Sequence, residues 1–279
     1  MEVARSIAEM RAIVKDWRKS DQRVSLVPTM GALHEGHLSL VHKGKERTDK
    51  SIVSIFVNPA QFAPHEDFNT YPREEERDFA ALRHANVDLV YAPDVKEIYP
   101  ENHHTKVEVQ GISQLLEGQF RPQFFIGVAT VVAKLLVQVM PDVALFGEKD
   151  YQQLCVIRAM ARDLDIPVDV LGGETIRESD GLAMSSRNAY LTNAERTLAP
   201  RLYQEITAIA EQVSAGADID QVCAAASKGL SESGFKAIDY IVVKDADTLE
   251  DPTPGRPMRV LAAAWLGRTR LIDNIAVPA

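Results

Sequence analysis

Two histidines three residues apart, His34 and His37, stand in the run Met30-Gly31-Ala32-Leu33-His34-Glu35-Gly36-His37. A β-type run, residues 23–27, enters this segment, and a helix-type run leaves it from Leu38. The pattern is a strand, a tight loop and a helix start. A helix N-terminus offers unpaired N–H groups and a partial positive charge, so it favours phosphate. Side chains at i and i+3 share a helix face, and two imidazoles there can donate to the same oxyanion. The chemistry is that of a nucleotide phosphate site. The tetrapeptide from His34 to His37 also admits two other readings: a pair of surface histidines at a helix start, or part of a zinc site. Zinc needs a third ligand at suitable spacing, and no further His/Cys cluster lies nearby in the sequence.

These residues need a frame, and the chain is long enough to build one. Its 279 residues can bury a substantial core and predict two domains. With 46% hydrophobic and 25% charged residues, the composition is that of a globular protein, not a disordered one. A net charge of −9 argues against a nucleic-acid partner. It does not argue against an ATP enzyme, because a few local cations suffice for phosphates. Cys155 and Cys223 lie in apolar helix-like contexts and are expected as core thiols, with no disulfide framework. The N-terminal stretch reads as an amphipathic helix carrying acids, not as a secretory leader. No apolar run approaches 18 residues, so no membrane span is expected and the chain reads as cytoplasmic.

Ser6 with Glu9 forms a capping-box pattern ahead of Ile7, Met10 and Trp17 at helical spacing. Strands are expected at residues 23–27, 51–57, 87–91, 143–146 and 168–171, with a short one at 106–109. Helices are expected at 36–47, 74–84 and 151–164, and along the stripe Val128, Val131, Val132, Leu135, Leu136 and Val139. Alternating strands and helices predict a parallel sheet with right-handed crossovers. Ligands in such sheets bind at the carboxyl ends of strands, which is where the residues after Val27, Val57 and Phe146 fall. Gly172-Gly173 is the expected joint. The reading is therefore α/β, a Rossmann-like doubly wound parallel-sheet domain over residues 1–173. A smaller α+β domain follows over 174–279, with a capped helix from Thr192 to about Val213, a helix at 219–231, and strands at 238–243, 259–265 and 270–275.

Three further blocks follow the first in order: Ser54-Ile55-Phe56-Val57-Asn58-Pro59-Ala60-Gln61-Phe62, Phe146-Gly147-Glu148-Lys149-Asp150-Tyr151-Gln152-Gln153-Leu154, and Asp180-Gly181-Leu182-Ala183-Met184-Ser185-Ser186-Arg187-Asn188. Together with the histidine motif they resemble the pantoate–β-alanine ligase family, in the nucleotidylyltransferase superfamily marked by His-x-Gly-His. The resemblance spans residues 24–274. It implies ATP-dependent condensation of (R)-pantoate with β-alanine through a pantoyl-adenylate, releasing pyrophosphate and AMP. It also implies Mg²⁺ accompanying ATP, and a homodimer through the first domain.

By the same resemblance, ATP is bound by Met30, Gly31, Ala32, Leu33, His34, Glu35, Gly36 and His37, by Gly147, Glu148, Lys149 and Asp150, by Ile176 at the adenine, and by Met184, Ser185, Ser186 and Arg187. His34 and His37 suit the α- and β-phosphate oxygens, with a proton-donor role for His37, and Lys149 supplies a mobile positive charge. Two hydroxyls and the Arg187 guanidinium form a second phosphate clamp in or beside the second domain, an arrangement that predicts closure on ATP. Gln61 and Gln153 are assigned to pantoate, with Asn58 and Arg121 assisting. Mg²⁺ binds through phosphates and few protein ligands, so no acidic metal motif is expected.

Two departures from the family pattern stand out. The usual run Arg-Pro-x-His-Phe-x-Gly-Val is here Arg121-Pro122-Gln123-Phe124-Phe125-Ile126-Gly127-Val128, with a phenylalanine for the histidine. Arg77 stands where the first of two acids is usual, leaving Asp78 as the residue to hold a Mg²⁺-bound water. Two other functions compete with the ligase: a nucleotidylyltransferase that keeps its adenylated product, and a nucleotide-binding module without turnover. AMP release that depends on an amine separates the first of these from a ligase.

Overall fold

Short, nearly continuous buried strands, rich in apolar residues, explain the first part of the chain. The computed structural model describes residues 1–63 and 66–279. Its chain divides into two compact units, residues 1–148 with 153–174, and residues 149–152 with 175–279. The first unit contains β1 (Glu2–Ala4), α1 (Ile7–Lys19), β2 (Val24–Thr29), α2 (Glu35–Lys45), β3 (Lys50–Ile55), α3 (Glu75–His84), β4 (Leu89–Tyr91), α4 (Val95–Ile98), α5 (Glu117–Phe120), α6 (Phe124–Val139) and β5 (Val143–Gly147). After these come α7 (Tyr151–Asp163), whose first two residues group with the second unit, and β6 (Asp169–Gly173).

The strands form one parallel sheet in the order β1-β4-β3-β2-β5-β6. Leu26, Ile52, Leu89, Tyr91, Ala144 and Phe146 join the core formed with α1, α6 and α7. Val27, Val53, Val90, Val143 and Leu145 join a separate core formed with α2 and α3. Successive strand residues point to opposite faces, so a sheet covered on both sides needs apolar residues at both phases. That is the doubly wound Rossmann-like arrangement expected from the sequence.

The second unit holds α8 (Asn193–Leu198), α9 (Arg201–Ser214), α10 (Ile219–Glu232), β7 (Ala237–Asp245), β8 (Met258–Leu266) and β9 (Thr269–Ala276). The three strands are antiparallel in the order β7-β8-β9. Leu202, Ile206 and Ile209 of α9 and Val222, Ala226 and Leu230 of α10 pack on Ile241, Val260, Ala262 and Ala264 of the sheet. This is the smaller α+β unit.

Three elements differ from expectation. The helix expected from Thr192 to Val213 breaks at Pro200, which has no N–H to donate and clashes with a preceding turn. Residues 106–109 form no strand. There the Val107 N–H donates to Thr130 Oγ1 at 2.9 Å, a side chain taking the place of a neighbouring strand. β1 is an added edge strand of three residues, of which only Ala4 is buried. Both cysteines are buried free thiols. Among the described residues no helix is long and apolar enough to cross a membrane.

Candidate active site

The sheet opens where the histidine motif begins. β2 pairs with β3 along its whole length, from Val24↔Lys50 to Thr29↔Ile55. Its pairing with β5 covers only Ser25 and Leu26. β5 then continues to Gly147 against β6 alone. Connections run outward in both directions from β2 and β5, so this gap is the topological switch point, where open α/β sheets bind ligands. Pro28 contributes to the opening. The Val24 carbonyl accepts from the Asp142 N–H while the Thr29 carbonyl accepts from the Phe56 N–H, so even-numbered residues of β2 face β5. Pro28 has no N–H to extend that ladder.

The loop after β2 is held from below. Thr29 Oγ1 donates to the Ser54 carbonyl at 2.8 Å and accepts from the Gly31 N–H at 3.2 Å. Asp78, on α3 and 2% exposed, accepts from the Ala32 N–H on Oδ2 and from the Leu33 N–H on Oδ1, each at 2.8 Å. Gly31 and Ala32 both take left-handed backbone angles, with φ of 80° and 50°. A Cβ at position 31 would stand 2.9 Å from Asp78 Oδ2, so glycine is needed for both reasons. Burial, the largest influence, pushes the Asp78 carboxyl above the ordinary range although the two N–H groups pull it down. The carboxylate expected beside a Mg²⁺-bound water thus has both oxygens engaged by backbone donors under the loop.

His34 is the N-cap of α2, with its Nδ1 accepting from the Gly36 N–H at 3.2 Å. His37 reaches back, its Nδ1 accepting from the His34 N–H at 3.3 Å. Serine or threonine with glutamate usually makes this reciprocal cap; here two imidazoles do. The consequence is chemical. A neutral imidazole whose Nδ1 is an acceptor carries its proton on Nε2. Both rings are therefore set as Nε2–H donors, with centroids 4.1 Å apart, at the positive end of a helix.

Asn58, 1% exposed, organises the opposite wall of this unit. Its Nδ2 donates to Gln61 Oε1 at 3.0 Å and to the Gly127 carbonyl at 3.1 Å. Its Oδ1 accepts from the Tyr99 hydroxyl at 2.9 Å and from the Ala60 N–H at 3.2 Å. With Oε1 engaged, Gln61 presents its NH₂, which contacts Met30 Sδ at 3.1 Å. Burial lifts the Tyr99 phenol to about 12, so it remains a donor at all working pH values.

The Arg121 guanidinium makes a two-point ion pair with Glu66, 2.7 Å on each arm, and reaches the Gln61 carbonyl at 3.3 Å. It also stacks 3.8 Å from the centre of the Phe124 ring. The phenylalanine that replaces the usual histidine therefore serves as a cation–π platform. Gln153 lies partly buried in the first turns of α7.

In the second unit, Lys149 and Asp150 belong to a short 3₁₀ turn, Glu148–Asp150, before α7. Lys149 Nζ stands 4.0 Å from Asp150 Oδ1. Lys149, Ser185, Asn188, Tyr203, Arg270 and Asp273 line one small cavity. The Met184 N–H donates to the Ile176 carbonyl at 2.9 Å, closing a bend that carries Ser185. Ser185 Oγ then caps the 3₁₀ turn Ser186–Tyr190 by accepting from the Arg187 N–H at 3.3 Å. The residues expected as a second phosphate clamp sit at the start of a helical turn, and Lys149 and Ser185 line the same cavity. Among the described residues no group of three His, Cys, Asp or Glu is placed to hold a metal ion.

Comparison with known proteins decides between the competing readings. The family model for pantoate–β-alanine ligase matches residues 2–276. The chain belongs to the pantoate–β-alanine ligase family. The pantothenate synthetase of Paramagnetospirillum magneticum is 57% identical over 99% of this chain and 97% of its own length. That of Mesorhizobium japonicum is 52% identical over 99% and 98%. Among solved structures, pantothenate synthetase from Thermus thermophilus is 44% identical, with a TM-score of 0.92 and full coverage of both chains. The pantoate–β-alanine ligase of Francisella tularensis, complexed with beta-gamma ATP and beta-alanine, is 35% identical, with a TM-score of 0.84 over 99% of this chain and 97% of its own.

Membership of the pantoate–β-alanine ligase family gives meaning to residues that sequence reasoning passed over. Tyr99 and Gly127 were not singled out, yet both hold Asn58. A Cβ at Gly127 would lie 2.3 Å from the Ala60 carbonyl oxygen and 2.8 Å from the Gln61 N. Backbone cannot yield as a side chain can, so Gly127→Ala should destabilise the first unit by about 1–3 kcal/mol and raise the KM for pantoate. Denaturant midpoints and steady-state kinetics on the same preparation check both. For Asp78→Asn, one of the two N–H donors would face an NH₂ group. A loss of about 1–3 kcal/mol is expected, with slower turnover because the Gly31-Ala32 loop loosens. An Asp78→Asn protein with unchanged denaturation midpoint would show that the carboxylate does not hold the loop.

Proposed function

We propose that this ligase joins pantoate to β-alanine through a pantoyl-adenylate. A pantoate carboxylate oxygen attacks the α-phosphorus of ATP, and the bond to the β-phosphate oxygen breaks, releasing pyrophosphate. The β-alanine amine then attacks the activated carbonyl carbon and loses a proton. The C–O bond breaks, so AMP leaves carrying one oxygen from pantoate. Positioning and charge stabilisation do most of the work in such transfers.

One observation carries the reading: His34 and His37 are both fixed as Nε2–H donors at the N-terminus of α2, beside the switch point of the sheet. Two such donors suit the non-bridging oxygens of the α- and β-phosphates. Lys149, Ser185, Ser186 and Arg187 are assigned to the remaining phosphate charge, and Gly147, Glu148 and Asp150 to the ribose and phosphates. Ile176 is assigned to the adenine, and Met184 to the ATP-binding segment that carries Ser185. Gln61, its amide turned by Asn58, is assigned to the pantoate hydroxyls, together with Gln153. Arg121 contributes through its hold on the Gln61 carbonyl. Mg²⁺ is assigned to ATP itself, as part of the substrate, because it binds readily through phosphate oxygens with few protein ligands.

The same reading includes a homodimer and residence in the cytoplasm. The exposed apolar side chains Val137 and Met140 of the first unit support the first, and the buried free thiols support the second. Pantoate labelled with ¹⁸O in its carboxylate tests the chemistry. Label in the phosphate of AMP supports the adenylate, and label in inorganic phosphate would replace it with an acyl-phosphate route.

A further inference from the structure

Lys149 is held from a distant part of the second unit. Its backbone carbonyl accepts from Asn274 Nδ2 at 2.9 Å. Asn274 lies on β9 and is 4% exposed, so this contact is shielded from water. The amide cannot turn over. Its Oδ1 accepts from Arg259 Nη1, which leaves the NH₂ toward Lys149; the flipped amide would set two carbonyl oxygens against each other. Arg259 is fixed in turn by stacking 3.8 Å over the Tyr151 ring, and the Tyr151 hydroxyl donates to the Ala246 carbonyl at 3.0 Å. The residue before Asn274 reaches the segment that precedes Ser185. Asp273 makes a two-point pair with Arg177, at 2.6 and 2.9 Å, and Arg177 donates to the Gly181 carbonyl at 3.0 Å. Asp273 also accepts from the Asn274 N–H at 2.8 Å. Adjacent residues of one strand therefore mount both Lys149 and the segment that leads to Ser185.

We propose that Asn274, oriented by Arg259, is a positioning residue for Lys149 in adenylate formation. This rests on the assignment of Lys149 to the ATP phosphates. A flexible four-carbon side chain delivers its charge only as accurately as its backbone is placed, and a displacement of about 1 Å can cost on the order of 100-fold in rate.

Asn274→Asp is the informative variant, because it keeps shape and the acceptor for Arg259 but turns the Lys149 donor into an acceptor. Single-turnover adenylate formation should fall about 10–100-fold, with the KM for pantoate within about twofold of wild type. In a Lys149→Ala background the same change should cost less than about twofold, since the residue it positions is gone. An equal loss in both backgrounds would overturn the proposal in favour of a general structural role, as would wild-type kinetics in Asn274→Asp. A Lys149→Ala protein with the wild-type rate would overturn the assignment of Lys149 itself, a separate and distinguishable failure. Should Asn274→Asp not fold by circular dichroism, Arg259→Lys is put through the same cycle. It keeps the charge but loses the planar stacking that orients Asn274, and the same coupled loss is expected.

Discussion

His37→Ala is expected to slow pantoyl-adenylate formation about 10²–10³-fold, the usual cost of removing one preorganised donor to developing phosphate charge. The loss should fall on kcat more than on the KM for ATP, because the donor matters most as the phosphorus gains its fifth oxygen. The structure separates this effect from misfolding. The His37 ring also accepts from the His34 N–H, so a stability loss of about 0.5–1.5 kcal/mol accompanies the substitution. His34→Asn provides the control. Asparagine is a strong N-cap residue and can take over acceptance from the Gly36 N–H, but it brings no Nε2–H. It should keep the thermal midpoint and still lose activity. If His34→Asn retained full activity, the cap would be the only role of that ring.

The second large effect is expected at Lys149. Lys149→Ala should lower the rate of pyrophosphate release by about 10²–10³-fold with little change in stability, since the side chain is part-exposed and its ion pair with Asp150 is 4.0 Å long. Lys149→Arg should recover only part of the loss, because a planar guanidinium does not reproduce a compact ammonium charge. Rapid-quench measurement of pyrophosphate from ATP and pantoate reads both. Equal rates for wild type and Lys149→Ala would remove the lysine from the chemistry.

Much of this architecture can be read along the chain because its causes are local. The apolar runs of β2 to β5, the stripe of α6, and the strand–loop–helix around His34 each sit within one short window. The first motif even shows its own capping logic once the rings are placed. Other features depend on partners far away in sequence. Tyr99 meets Asn58 across 41 residues, Asp78 meets Ala32 across 46, and Gly127 meets Asn58 across 69. No window of ordinary length contains such a pair. Asp78 illustrates the point: its place beside the histidine motif suggests a metal-bound water, while its bonds to two loop N–H groups show only once the chain is folded. Pro200 is a different case. The break it imposes is a local signal, outweighed in the sequence reading by the capping box at Thr192 and the helical spacing beyond it. At Phe124 the family pattern marks a lost histidine, and only the folded chain shows its ring under Arg121.

The central claim is that one site activates an acid with ATP and passes it to an amine. Product analysis of ATP, Mg²⁺ and pantoate with the wild-type enzyme, with and without β-alanine, tests it most directly. The account predicts catalytic AMP and pantothenate, in equal amounts, only when β-alanine is present. Sustained pyrophosphate release without β-alanine, with adenylated acid accumulating in solution, would contradict it.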